Sequence, residues 1–161
     1  MTFRTYIIVT VGVIAAAVGS AHAAGGREAV GPLPDDPQLG IDGGRLVPCP
    51  DSPNCISTMA EPADDTHYAA PIPYTGDREA VHVRLLAWIE ATDRVVLVTE
   101  RQDYIRARSW SRLFGFRDDL ELYLPGDGAV VHLRSASRTG YGDMGVNRAR
   151  YESIRDWIGD R

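Results

Sequence analysis

Residues 134–150 read RSASRTGYGDMGVNRAR, a run of side chains suited to holding an anion. Arg134, Arg138 and Arg148 carry planar guanidinium forks that match a carboxylate or a phosphate. Ser135, Ser137, Asp143 and Asn147 add short donors and acceptors, and Gly140 lets the backbone come close to a ligand. The run crosses from a strand-like segment into a helix-like one. The unpaired amides of a helix start therefore face the same region. Two readings follow. The cluster is a pocket for a small anionic ligand or an envelope partner, or it is an internal lock in which Asp118, Asp119 and Asp143 neutralise the arginines.

The same run contains GYGDMG, formally G-x-G-x-x-G. A dinucleotide fold needs that turn inside a βαβ unit, with an acidic residue about 20 positions further on. Only sixteen residues follow Gly145, and the last helix consumes them. The fingerprint is a coincidence of composition.

Serine chemistry is the alternative from another class, an extracytoplasmic hydrolase using Ser135 or Ser137 with His67 and Asp143. The chain has no G-x-S-x-G elbow. His82 reads as a surface or flank residue of a helix, and His132 as part of the polar face of a strand. HExxH is absent, and no His, Cys or Asp group has ligand spacing, so no metal or cofactor is expected. All 17 basic residues are arginine. Lysine Schiff-base chemistry is thereby excluded. A third alternative is a lipid or other hydrophobic ligand between helices and sheet, lined by Trp88, Trp110 and Trp157.

The elements that position these residues are legible from periodicity. Over 77–91, Val81, Leu85 and Trp88 recur at helical spacing, with Asp77 or Thr75 available as the cap. Four strand-like runs follow at 94–100, 103–110, 116–124 and 129–135, and a second helix at 147–158 closes the chain. The order α-β-β-β-β-α predicts an α+β fold: a four-stranded antiparallel meander with two helices on one face. Alternation puts Arg106 and Arg108, Asp119 and Glu121, and His132 and Arg134 on the other face. That face reads as solvated, with compensating cross-strand pairs, or in the alternative as a polar binding face.

Upstream lies a coil stapled by Cys49 and Cys55, which read as a disulfide in an exported chain. Residues 24–45, rich in Gly, Pro and Asp, read as a linker or surface arm. Residues 1–23 read as a signal peptide, with an apolar run ending in Ala21-His22-Ala23. The expected organisation is thus a signal peptide, an arm, and one domain over 46–161. It implies a periplasmic or secreted protein with no integral span once the signal is cleaved. Without residues 1–23 the chain keeps 16 basic against 22 acidic residues. That balance argues against a nucleic-acid partner.

LVPCPDSPNCIST, HYAAPIPY, FRDDLELYL and RSASRTGYGDMGVNR together resemble the bacterial and plastid family catalogued as domain of unknown function 1499. The resemblance runs from about residue 46 to the C-terminus. It implies a single exported domain and carries no catalytic roles with it. Its boxes suggest that Asn54 in the cysteine loop, Asp118 and Asp119 converge with residues 134–148. The expectation is a non-enzymatic binding or accessory domain.

Overall fold

A computed structural model describes residues 29–111 and 115–159. The signal-peptide reading of residues 1–23 lies outside the described residues. The elements, in chain order, are β1 (Ile41–Asp42), β2 (Arg45–Leu46), β3 (Cys55–Ser57), β4 (Ile72–Pro73), α1 (Arg78–Ala91), β5 (Val95–Arg101), β6 (Tyr104–Trp110), β7 (Arg117–Tyr123), β8 (Val130–Ser137) and α2 (Val146–Gly159).

The fold is α+β, and the sheet has six strands, which corrects the four-stranded expectation. Strands β5 to β8 pair antiparallel with their neighbours in chain order. Two short strands from the proline-rich coil add to β8: β3 along 134–136 and β4 along 130–131. Three- and two-residue strands interrupted by prolines show no alternation to read, so periodicity passes over them. A separate β1–β2 ladder turns at Gly43 and Gly44, both at positive φ. Glycine adopts that conformation without Cβ strain.

The core lies between the helices and one face of the sheet. Val81, Leu85, Trp88 and Ile89 of α1 and Tyr151, Ile154 and Ile158 of α2 pack against Leu97, Ile105, Ala107, Leu120, Leu122 and Leu133. Leu120 and Leu122 are fully buried, so truncating either to alanine should cost about 2–5 kcal/mol. Trp88 Nε1 donates to Ser153 Oγ, and Arg84 Nη2 donates to the carbonyls of Trp157 and Ile158 at the end of α2. A guanidinium there satisfies orphan carbonyls at the negative end of the helix dipole.

Two local expectations fail. Asp77 stands at the N-cap of α1 in extended geometry but makes no side-chain cap bond. His82 is buried rather than superficial, with Nε2 3.2 Å from Glu100 Oε1. Its helical stripe continues one residue beyond Val81 into the core.

Candidate functional site

The disulfide Cys49–Cys55 closes the loop that leads into β3. Pairing of Cys55 with Ala136 lays that loop along the end of β8. Asn54 is thereby pinned: its carbonyl accepts from the Ser137 amide, and its Nδ2 donates to the Gly140 carbonyl at 2.6 Å. The glycine string is the connection from β8 to α2, and Gly140 takes φ 88°. Asp143 closes the helix start, with Oδ2 accepting from the Asn147 amide at 2.8 Å and Oδ1 from the Gly145 amide at 3.0 Å. The helix N-terminus is therefore served by a carboxylate of its own chain.

Around that start, on the helix side of the sheet, lies a dense polar cluster. Arg150 is its hub. Its Nη1 donates to Ser135 Oγ and Asn147 Oδ1, both at 2.7 Å, and its Nη2 to Ser109 Oγ at 2.7 Å and Asp118 Oδ2 at 2.8 Å. Ser135 donates to Asn147 Oδ1, Ser137 donates to Asp118 Oδ1, and Asn147 Nδ2 reaches the Asn54 carbonyl. Ser135 and Asn147 have no exposed surface. Each polar group meets a partner, as a stable buried network requires. Arg148 is elsewhere, with Nη2 donating to the Tyr68 carbonyl at 3.0 Å.

Arg134 and Arg138 belong to a second cluster, on the outer face of the sheet away from the helices. The strand register places Arg106, Glu121 and Arg134 in one row and Arg108 beside Asp119 in the next. These rows follow the alternation of the sequence, but the face is not solvated. Arg106, Arg108, Asp119, Glu121 and Arg134 are all buried. The cover is the arm. Val30 N donates to the Leu97 carbonyl on β5, and Gly40 N donates to Glu121 Oε1 on β7. Residues 30–40 therefore cross the sheet as a strap, which the sequence reading left as a linker or surface arm.

Asp36 is the point of attachment. Its carboxylate accepts from Arg108 Nη2 and from Arg138 Nη2, the latter at 2.7 Å, and Arg106 Nη2 lies 3.5 Å away. The side chain is only 3% exposed. Burial alone would raise its pKa. The Leu33 amide and the Arg138 and Arg108 guanidiniums outweigh that and lower it to about 2. Asp119 holds the other side: Arg138 donates Nε to Oδ2 and Nη2 to Oδ1, and Arg106 Nη2 donates to Oδ1 at 2.9 Å. The Asp119 carboxylate, against burial and with help from Asp36, keeps Arg138 charged.

Glu121 lies at the far end of this face. It accepts from Tyr104 Oη at 2.8 Å and from Arg134 Nη1 at 3.3 Å. Burial raises its pKa, opposed by the Tyr104 hydroxyl and the Arg134 charge. Among the described residues, four buried guanidinium donors of this face have no partner: Nε of Arg106, Arg108 and Arg134, and Nη1 of Arg138. Buried polar groups are normally paired, so four such donors on one face are unusual.

The predicted site is thus divided between two faces. Asn54, Asp118, Ser135, Ser137 and Asn147 meet on the helix side, whereas Asp119, Arg134 and Arg138 meet under the arm. Sequence reasoning missed Arg150 as a hub and Asp36 altogether. It placed Arg106, Arg108 and Glu121 on the right face without joining them to the site. Strand parity was the available signal for those three. Asp36 offered none, since the arm has no periodicity.

The hydrolase arrangement is not assembled. His67 Nδ1 lies 2.7 Å from Asp64 Oδ2 and Nε2 lies 3.2 Å from the Ser52 carbonyl, whereas Ser135 and Ser137 bond Asn147, Arg150 and Asp118. Of the tryptophans of the hydrophobic-ligand alternative, Trp88 and Trp110 line one cleft of about 360 Å³ together with Val95 and Val146, and Trp157 is not part of it. Trp88 is packed in the core, and Trp110 and Trp157 are each 38% exposed. Among the described residues, no group of three or more His, Cys, Asp or Glu could hold a metal ion. No described helix is long and apolar enough to cross a membrane.

No curated protein and no solved structure matches the chain. A family profile described as "Protein of unknown function (DUF1499)" matches residues 45–158, which is all of the sheet, both helices and both arginine clusters but not the arm. With that match spanning most of its length, the chain belongs to the DUF1499 family.

Proposed function

We propose that this protein is an exported, non-enzymatic binding domain whose outer sheet face receives a carboxylate or a similar anion. The observation that carries this reading is the grip on Asp36, in which Arg108 and Arg138 donate to one carboxylate with Arg106 close by. A guanidinium set of that shape, shielded from water, recognises planar oxyanions by charge and by geometry. Export is supported by the signal-like segment at the N-terminus and by the disulfide. The helix-side cluster around Arg150 acts as the lock that fixes β3, β8 and α2 together, because its donors and acceptors are satisfied within the fold.

Chemical rescue tests the reading. Asp36→Ala in the full chain removes the carboxylate that Arg108 and Arg138 donate to, leaving Arg106 and Arg138 with Asp119 alone, and its melting temperature should fall. Acetate should restore part of that loss at constant ionic strength, since a ligand of the native state stabilises in proportion to its saturation. Chloride should not. The same acetate added to Asp36→Ala/Arg138→Ala should have no effect. Equal responses of the single and double variants would overturn the assignment.

A further inference from the structure

The carboxylate in the arginine grip comes from residues 30–40, which precede the part of the chain that the family profile matches. The arm is also held as a peptide is held, not merely as a charge. It enters through a main-chain bond from Val30 to Leu97 of β5 and leaves where the Gly40 amide donates to the Glu121 side-chain carboxylate. Between them Leu33 N caps the Asp36 carboxylate at 2.9 Å, and the Asp36 amide donates to the Leu33 carbonyl at 3.0 Å. Prolines bracket the acidic pair in LPDDP, which limits the conformations this segment must lose on docking. Asp35 reaches the rim, where its carboxylate meets Arg117 Nη1 at 2.9 Å.

The fit is incomplete. Clefts of about 470 Å³ and about 290 Å³ flank the strap, the first between Pro32, Pro37 and Tyr104, the second between Leu39, Asp119 and Arg134. The four unpartnered guanidinium donors lie beneath the same strap. Charge points the same way. The sheet supplies Arg106, Arg108, Arg134 and Arg138 against Asp119 and Glu121, so the face is cationic before Asp36 arrives. The strap is tied to the domain by the β1–β2 turn, where Gly43 and Gly44 form a pivot.

Resting on the anion-binding reading above, we propose that the outer face is a peptide groove. Its ligand class is an extended acidic segment flanked by prolines, presented by another polypeptide, and residues 30–40 are its internal occupant. The arm competes with that ligand. Tethered by a short turn, it is present at an effective concentration on the order of millimolar, so a free peptide of equal intrinsic affinity meets a largely filled groove. A partner segment succeeds by adding acceptors for the orphaned donors or by filling the flanking clefts.

A fluorescent peptide with the sequence of residues 30–40, VGPLPDDPQLG, is the probe, titrated by anisotropy against full-length chains. The wild type should bind it weakly. Asp36→Ala, which weakens the internal occupant and keeps every arginine of the face, should bind it roughly tenfold or more tightly. The peptide with alanine at the place of Asp36 should not bind. A second full-length variant, with a long Gly/Ser insert between Gly43 and Gly44, opens the β1–β2 turn and lowers the effective concentration of the arm while keeping residues 30–40 and the arginine face intact. It should also gain affinity for the peptide, and it decides the matter if Asp36→Ala does not fold. Rescue by acetate without peptide binding to either variant would overturn the peptide groove and leave the anion site standing. Absence of both would overturn the two together. Peptide binding indifferent to the loss of its second aspartate would also overturn the proposal.

Discussion

Asp36 and Arg138, separated by 102 positions in the chain, share a hydrogen bond of 2.7 Å between Oδ1 and Nη2. That bond fastens the arm to the outer face of the sheet, and its strength depends on the charge of the carboxylate. The Asp36 pKa falls from an ordinary 3.8 to about 2 on folding. A depressed acid contributes stability that is fully present above the unfolded value and is lost as pH falls through the folded one. Acidification from pH 4 toward about pH 2 should therefore release the arm, seen as faster hydrogen exchange over residues 30–42. Asp36→Asn should show fast exchange in that segment across the whole range.

His67 gives the opposite slope. Burial opposes its charge, but the Asp64 carboxylate and the Ser52 carbonyl outweigh burial, and its pKa lies above the ordinary 6.5. The stabilisation is complete below about pH 6.5 and disappears as pH rises through the folded value. Hydrogen exchange over residues 50–68 should accelerate as pH rises above about 6.5, beyond the intrinsic pH effect. His67→Gln should abolish that excess.

Arg150→Ala should be among the most damaging substitutions in the chain. It removes four donated bonds and leaves the Asp118 carboxylate buried without its cation. Breaking one side of a buried pair costs about 3–5 kcal/mol, measurable as a lower urea midpoint at unchanged m-value. Arg150→Lys should recover only part of the loss, because one ammonium cannot span Ser135, Asn147, Ser109 and Asp118.

Replacing Cys49 and Cys55 by serine should cost about 2 kcal/mol, the loop-entropy value for so short a ring. The damage should not stay local. Asn54, next to Cys55, bonds Ser137, Gly140 and Asn147. Exchange should rise in residues 46–58 and in residues 134–147 together, with little change around Leu85 or Leu122. Faster exchange in the cysteine loop alone would show that the staple and the turn are independent.

What the sequence disclosed follows from how far each signal reaches. Helical and strand periodicity located α1, α2 and β5 to β8, because a half-buried element repeats its apolar residues at a fixed spacing. The disulfide followed from two cysteines six positions apart in a chain read as exported. Alternation also assigned Arg106, Arg108, Asp119, Glu121 and Arg134 to one face, yet alternation cannot say what lies on that face. Here the cover is a proline-rich strap held by isolated amide bonds at Val30 and Gly40 and by the carboxylates of Asp35 and Asp36, and none of these leaves a periodic trace. The short strands β3 and β4 escaped for the same reason. Residues 134–150 looked like one site because they are contiguous. A strand directs alternate side chains to opposite faces, so Arg134 and Ser135 had to part company.

The strap closes a circuit between the two ends of the chain, and that orders events in time. During synthesis residues 30–40 emerge early and Arg134 and Arg138 last. The segment must wait, undocked, until β8 has paired with β7 and brought the guanidiniums into one row. Contacts this distant in sequence are the slowest to form, since the intervening loop must close first. Seating of Asp36 is therefore expected late in folding, and until it happens the arginine face lacks that carboxylate.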